Sequence, residues 1–242
     1  MKLSDVQHHA LDYHDYKKKI NELQKKARDL SYLAYERQRG AILVFEGWDA
    51  AGKGGAIRRL TTSIDPKLYH VKPIAAPNSV EKKHHYLWRF WVQLPSDGHI
   101  CIFDRSWYGR VLVERVEGFA GEEEWRRSYN EIVNFEKDLL DSGRIVIKYW
   151  LHITSEEQLN RFNARQEDPL KRWKLTDEDW RNREKWSLYE NAAEEMFEKT
   201  DRKKAKWNII AANDKYFARV EILKIFCKTL SKELGVPSDF FS

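Results

Sequence analysis

The stretch Ala41-Ile-Leu-Val-Phe-Glu-Gly-Trp-Asp-Ala-Ala-Gly-Lys-Gly-Gly55 decides the fold. Ala41 to Phe45 is an unbroken apolar run, the pattern of a strand buried on both faces. It stops at Gly47 in a loop of small residues, and Ala56, Ile57 and Leu60 resume with helical spacing. Gly47, Gly52 and Lys53 fit the pattern Gly, four residues, Gly, Lys, and strand–loop–helix is the context that makes such a motif a phosphate site. Backbone N–H groups across Gly47, Ala50, Ala51, Gly52, Gly54 and Gly55 are the candidates to converge on phosphate oxygens. The helix start adds partial positive charge, and Lys53 adds a mobile full one. An accidental glycine turn is the competing reading; element order, spacing and lysine together weigh against it. Two features depart from the common loop. Gly54 stands where a Ser or Thr ordinarily holds Mg²⁺. Asp49 places an acid among phosphate-binding groups, where an unpaired carboxylate repels the ligand, so a cation is expected between them.

Working outward, His99-Ile-Cys-Ile-Phe103 reads as a second strand that ends at Asp104, with Arg105 next. Open parallel sheets bind ligands at the carboxyl ends of their strands. Asp104 is therefore expected on the same edge as the loop after Phe45. There Asp49 and Asp104 can hold Mg²⁺ in place of the missing hydroxyl, and either can orient an attacking oxygen. The Arg105 fork suits a pair of phosphate oxygens. A local Asp104–Arg105 salt bridge is the plainer alternative.

A third cluster is basic. Arg161, Arg165, Lys171, Arg172 and Lys174 are opposed only by Glu167 and Asp168. A helical hairpin carrying such cations above a phosphate loop acts as a lid; a solvated helix corner explains the same residues. Arg110 and Glu114 lie just beyond the second strand's end, where Arg110 can meet an acceptor phosphate and Glu114 a metal or a basic side chain. Asn78 falls on the same edge for an acceptor nucleotide. Mutual pairing and helix capping account for these three equally well. His84 and His85, adjacent on a helix, point apart and do not share a metal. No Ser/His/Asp signature of hydrolysis is present.

The rest of the chain supplies the frame. Residues 5–37 read as one helix with the stripe Tyr16, Ile20, Leu23, Ala27, Leu30, Ala34. Further strands are expected at 69–74, 144–151 and 207–212. A helix capped by Asn78 or Ser79 with Glu81, carrying Tyr86, Leu87, Phe90 and Trp91, should end near Pro95. Others should run from Gly121 to Gly143, from Thr154 to about Gln166, from Thr176 to about Lys199, and over 215–234. Five strands alternating with helices make an α/β domain with a parallel sheet covered on both faces. One domain spans 1–242, with an N-terminal helix at 5–37 and a helical lid region at 155–199.

The 242 residues hold 43 Lys and Arg against 38 Asp and Glu, a net charge of +5 that favours anionic partners. Cys101 and Cys227 are far apart and lack metal-ligand spacing, and Cys101, in an apolar strand, reads as a reduced core thiol. No run reaches the roughly 18 apolar residues of a membrane span, and Met1 to Asp5 lack a signal-peptide core. The expectation is a cytoplasmic protein with no membrane partner. Most of the ten tryptophans sit at amphipathic helix positions suited to core packing.

Taken together the chain resembles the polyphosphate kinase 2 family. The likeness is carried by Phe45-Glu-Gly-Trp-Asp-Ala-Ala-Gly-Lys-Gly-Gly55, Tyr86-Leu-Trp-Arg-Phe-Trp91, Ile102-Phe-Asp-Arg-Ser-Trp-Tyr-Gly-Arg-Val-Leu-Val-Glu-Arg-Val116 and Trp173-Lys-Leu-Thr-Asp-Glu-Asp-Trp180, and spans about residues 10–235. The loop alone is shared with many nucleotide kinases; the block from Ile102 to Val116 is far more specific. The resemblance implies a three-layer, thymidylate-kinase-like P-loop fold with a helical lid. It implies phosphoryl exchange between inorganic polyphosphate and a nucleotide with Mg²⁺, for which Mn²⁺ can substitute. By that likeness Asp49 and Asp104 are the essential acids, Lys53 and Arg105 hold phosphates, and the lid cations cover the chain. Gly47-Trp48 and the Gly109-to-Arg115 run are most similar to the subgroup that phosphorylates AMP to ADP, with ADP, GMP and GDP as further acceptors to test. The likeness is to one half of two-domain members, so a homo-oligomer, dimer or tetramer, is expected to supply the other half. An ATP-dependent nucleotide kinase on the same fold is the first alternative, mildly disfavoured by Gly54. A nucleic-acid-binding protein is the second; the cations gather beside the loop rather than along an aromatic face, which weighs against it.

Overall fold

The computed structural model describes residues 2–237; Met1 and residues 238–242, the ends of the unit read over 1–242, lie outside the described residues. The apolar run 41–45 becomes β1 (Ala41–Gly47), buried from Ala41 through Glu46 and central in a five-stranded parallel sheet. The other strands are β2 (Tyr69–Pro73), β3 (Ile100–Asp104), β4 (Ile145–His152) and β5 (Trp207–Ala211), in the order β2-β3-β1-β4-β5. Register aligns Phe45 with both Asp104 and Tyr149, and Gly47 with Leu151. The carboxyl ends of β1, β3 and β4 therefore share one rim.

Side-chain alternation along β4 divides the layers. Tyr149 stacks on Phe45 and its hydroxyl donates to Ile222 O on one face. Lys148 and Trp150 point to the other, toward Glu136 and Phe197. On the Tyr149 face lie α1 (Tyr13–Glu36), α2 (Lys53–Thr61) and α9 (Lys215–Glu233), with α9 against both of the others. Two single-turn helices, α3 (Trp88–Trp91) and α4 (Val113–Val116), and the long α5 (Glu122–Asp141) follow in the chain, and α4 and α5 pack on α8 (Trp186–Thr200) on the opposite face. Between β4 and α8 come α6 (Ser155–Glu167), a 3₁₀ turn at Arg172–Lys174, and α7 (Asp177–Glu184).

Three expected helices are corrected. The one read over 5–37 starts at Tyr13, because the Asp12 carboxylate accepts from the amides of His14 (2.9 Å) and Asp15 (3.0 Å) and caps it there. Its apolar stripe begins at Tyr16, so nothing in the spacing held residues 5–12 helical. Instead Leu3 is buried and its amide donates to Glu194 Oε1 at 2.7 Å. The helix expected from Asn78 to Pro95 is only a 3₁₀ turn at Glu81–Lys83 and the four residues of α3. Asn78 does cap the first turn, its Oδ1 accepting from Val80 and Glu81 while Glu81 answers its amide. The helix expected from Thr176 to Lys199 breaks at Lys185 into α7 and α8. The segment after Arg105, unassigned from sequence, forms a 3₁₀ turn (Trp107–Val111) and α4.

Candidate active site

The loop between β1 and α2 is shaped by contacts that its glycines permit. Gly47 has φ +138°, and a Cβ there would fall 2.4 Å from the Leu151 carbonyl oxygen, so β1 and β4 approach this closely only because the residue is glycine. Ala50, at φ +61°, turns the chain back without that excuse. Lys53 Nζ donates to Gly47 O at 2.8 Å and Trp48 O at 3.1 Å, folded over the loop. Burial pulls the Lys53 ammonium down, and the carboxylates of Asp49, Asp104 and Glu46 pull the other way.

Arg161 grips the same loop from its carbonyl side. Nη1 donates to Ala50 O (2.9 Å) and Ala51 O (3.0 Å), Nη2 to Ala212 O (2.7 Å) and Asn213 O (2.8 Å), and Nε to Glu157 (2.6 Å). Every guanidinium donor is taken and the residue is 6% exposed. The expectation that Arg161 belongs with the open lid cations is therefore corrected: it ties the phosphate loop to α6 and to the end of β5.

Asp49, Lys53, Asp104 and Arg105 converge at one corner of the rim. Arg105 follows β3 with φ +66°, an unfavourable conformation for a side-chain residue, and its Nη2 donates to Asp49 Oδ1 at 3.0 Å. The adjacent-residue salt bridge is replaced by this pairing between loops. Asn182 Nδ2, from α7, donates to Asp49 Oδ2 at 2.9 Å, and Gln158 Nε2 donates to the Asp49 carbonyl at 3.2 Å. Burial pushes the Asp49 carboxyl up, but Lys53, Arg105 and the bond from Asn182 outweigh it and hold it below the usual range. Arg105 is likewise pulled down by burial and raised further by Asp49, Glu46, Glu178 and Asp104.

Asp104 differs from Asp49. No hydrogen bond from the described residues reaches its carboxylate, which is half-buried, and one oxygen lies 4.0 Å from where a Cβ on Gly54 would stand. A free carboxylate oxygen beside the position of the missing hydroxyl, with a second carboxylate in the same charge cluster, is a donor set that suits a hard divalent cation.

The corner rests on a buried polar scaffold. Ser106 Oγ donates to Glu46 at 2.7 Å, and burial pushes the Glu46 carboxyl up against the opposing pull of Ser106, Lys53 and Arg105. One turn on, Trp107 Nε1 and the Tyr108 hydroxyl both donate to Glu136 (3.2 and 2.7 Å). Lys148 completes the set with bonds to Tyr108, Glu136 and Thr200 O, each 2.9 Å, while fully buried. Unpaired, any of these charges would be costly; paired, they fix the turn that aims Arg105.

The remaining lid cations stay on the outside. Arg165 donates to Lys174 O, Arg172 to Gln166 O, Lys171 pairs with Asp168, and Lys174 lies 5.1 Å from the Trp173 ring. All four side chains can leave these partners for a ligand. Arg110 pairs with Glu114 at 3.2 Å and covers the Tyr86 ring at 4.5 Å, and burial raises the Glu114 carboxyl against the pull of Arg110 and Arg89. Asn78 is engaged as a cap, so these three residues have structural partners in this conformation.

Sequence reasoning missed Asn182, Glu46 and Glu117. Glu46 carried a signal, a carboxylate inside an apolar strand one residue before Gly47. Asn182 carried none, being an ordinary polar residue on a polar helix 133 positions from Asp49. Glu117 is 5% exposed at its side chain and receives Arg181 (3.1 Å) and Lys185 (2.9 Å), with the Tyr189 hydroxyl 3.3 Å away, at the root of the lid.

A parallel sheet with a phosphate loop after its central strand, an acid and an arginine at the neighbouring strand's end, and a helical lid are the parts of a P-loop kinase fold. The chain belongs to the polyphosphate kinase 2 family, whose sequence model matches residues 10–235. A polyphosphate:AMP phosphotransferase of Pseudomonas aeruginosa is 49% identical over 214 residues, which cover 88% of this chain and 43% of that protein. The same-named enzyme of Acinetobacter johnsonii is 51% identical over 90% of this chain and 45% of its own length. An ADP-polyphosphate phosphotransferase of Rhizobium meliloti is 41% identical over 95% of this chain and 75% of its own. Among solved structures, a polyphosphate kinase 2 of P. aeruginosa superposes with a TM-score of 0.92 at 45% identity, covering 97% of this chain and 50% of that one. The chain thus spans less than half the length of the AMP phosphotransferases it matches. No helix among the described residues is long and apolar enough to cross a membrane.

Proposed function

We propose that this chain transfers the terminal phosphoryl group of inorganic polyphosphate to a nucleotide, AMP becoming ADP, with ADP to ATP as a second use of the same site. The observation that carries the reading is the corner itself: Asp49, Lys53 and Arg105 are in mutual contact or charge range beside an Asp104 carboxylate that accepts no hydrogen bond from the described residues and beside the first-turn amides of α2 at Lys53, Gly54 and Gly55, whereas the Ala51 amide is already committed to Trp48 O at 3.1 Å. The names of relatives near 50% identity support AMP as acceptor.

An oxygen of the AMP phosphate attacks the terminal phosphorus of the donor in line. A new P–O bond forms as the bond to the penultimate phosphate breaks, and the shortened chain leaves with the electron pair. The attacking oxygen is anionic near neutral pH, so no strong base is required. Bringing two polyanions together is the main barrier. Lys53 leaves the loop carbonyls to meet donor phosphates, the loop amides hold their oxygens, and Arg105 exchanges Asp49 for the transferring group. Arg165, Lys171, Arg172 and Lys174 close over the chain and exclude water. Mg²⁺, or Mn²⁺ in its place, would be held by Asp49 and Asp104 and would neutralise charge between the two phosphate groups. The cytoplasm and a homo-oligomeric state, dimer or tetramer, complete the proposal.

The test is incubation with polyphosphate and Mg²⁺ together with each of AMP, ADP, GMP and GDP, products being separated by chromatography. ADP from AMP is the expected result. Transfer from ATP with none from polyphosphate would replace this reading with that of an ATP-dependent nucleotide kinase; a shift of RNA or DNA without any transfer would favour a binding protein.

A further inference from the structure

α9 packs on α2, the helix that opens with the phosphate loop, and brings two cations up to it. Arg219 Nη2 lies 3.6 Å from where a Cβ on Gly55 would stand, and Gly54 and Gly55 are both exposed. No carboxylate pairs with Arg219 among the described residues; its one contact is with the Tyr216 ring, 6.0 Å away. Lys215, one turn earlier, likewise has no ion pair or hydrogen bond among them. Its neighbours are charged alike. Burial, then Arg161, Arg219 and Lys171, draw the Lys215 ammonium below its ordinary range, and Glu157 opposes them. Glu157 is itself committed to Arg161 at 2.6 Å. Like charges gathered in a partly desolvated place, with the carboxylate that opposes them already paired, repel one another until an anion joins them.

The position of this cluster identifies the anion. Arg219, on α9, faces Gly55, whereas the Asp104 carboxylate faces Gly54, the neighbouring residue in the first turn of α2 and so turned by roughly 100° around that helix. A group held there is not the one being transferred. We propose that Arg219 and Lys215 form a distal subsite for the donor, holding phosphates further along the chain as it passes Gly55 toward Lys171 of the lid. The proposal rests on polyphosphate being the donor, and it explains a choice of donor that the loop alone does not make. A nucleoside triphosphate ends in a sugar and base and leaves this subsite unfilled; a long polyphosphate continues into it.

Arg219→Ala, Lys215→Ala and the double variant test this, with Lys137→Ala, on the exposed face of α5 in the opposite layer, as a control for net charge. Each is assayed with AMP and either tripolyphosphate or chains of several tens of units, at several salt concentrations. The KM for long chains should rise about five- to tenfold per cation removed, with little change in the KM for tripolyphosphate. The slope of log KM against log salt for long chains should fall by roughly 0.7 per cation. Arg219→Gln, which keeps a long polar side chain on α9, should reproduce the loss, and thermal melting guards against misfolding. Equal losses with both donors, or none with either, overturn the subsite while leaving the donor reading intact. A wild-type enzyme inert toward every polyphosphate yet active with ATP overturns both.

Discussion

Asp49 is the most constrained side chain of the site, and Arg161 the most constrained beneath it. Asp49 takes hydrogen bonds from Arg105 and Asn182 and a charge interaction with Lys53. Asp49→Asn keeps the shape, removes the charge, and should lower kcat by about a thousandfold or more while shifting the melting midpoint by no more than a few degrees. Arg161→Ala should do the reverse in kind. It strands four loop carbonyls and Glu157, costing roughly 3–5 kcal/mol, or about 10 °C of melting midpoint for a domain of this size. Calorimetry and a turnover assay on the two proteins separate the roles; an Arg161→Ala enzyme that melts normally would refute the scaffold reading. The two residues also mark how far sequence reaches. Asp49 was legible because it lies inside a contiguous motif whose local chemistry demands a counter-charge. Arg161 was legible as a cation but not as a buried one, since a count of charges between 161 and 174 carries no direction.

At the level of elements, the hinge between α7 and α8 repeats the lesson. Lys185 is a good helix former and nothing around it announces a break. The break is tertiary in origin: Trp186 stacks on Trp48 with ring centroids 3.7 Å apart and planes 9° from parallel, and Lys185 reaches Glu117. Trp48 belongs to the phosphate loop, so the lid is jointed directly to the loop it covers. Trp186→Ala removes a stacking contact worth about 0.5–1.5 kcal/mol beyond its buried area. The expected results are a several-fold higher KM for donor and faster tryptic cleavage between residues 167 and 176. Unchanged cleavage and KM would show that the joint does not hold the lid. Strands were easier to read than helices. The runs at 41–45, 99–103 and 144–151 stood out because the inner strands of a parallel sheet are apolar on both faces, Lys148 apart. The Tyr86–Trp91 helix was overread because its apolar residues fit one turn and were extended to four.

For the whole molecule, the class of fold followed from alternation of elements, but the strand order did not, because an apolar run does not say which neighbour it will meet. Nor did the sequence show that the N-terminal segment closes over the sheet. His8 stacks on His152, ring centroids 5.6 Å apart, and His152 Nδ1 accepts from Trp48 Nε1 at 3.0 Å. Burial, and then His8, bring the His152 pKa down to about 4. A group whose folded pKa lies below its unfolded value of about 6.5 stays neutral in the native state while the unfolded chain takes up a proton. Its contribution is complete above about pH 6.5 and is lost as pH falls toward 4, on the order of 2 kcal/mol. The raised Glu46 carboxyl acts in the opposite sense, and the depressed Asp49 in the same sense at lower pH. Urea unfolding at pH 7 and pH 4.5 should show the loss, and His152→Gln should flatten it; an unaltered slope in that variant would assign the acid sensitivity elsewhere. One contact ties this global view back to the start. Gly47 meets Leu151, a residue made about a hundred positions later in the chain, so the loop acquires its curvature only when the sheet has closed around it. Ligation is thereby coupled to assembly: an anion in that cradle recognises the finished sheet and no partial one, and its occupancy becomes a gauge of how much of the population is native.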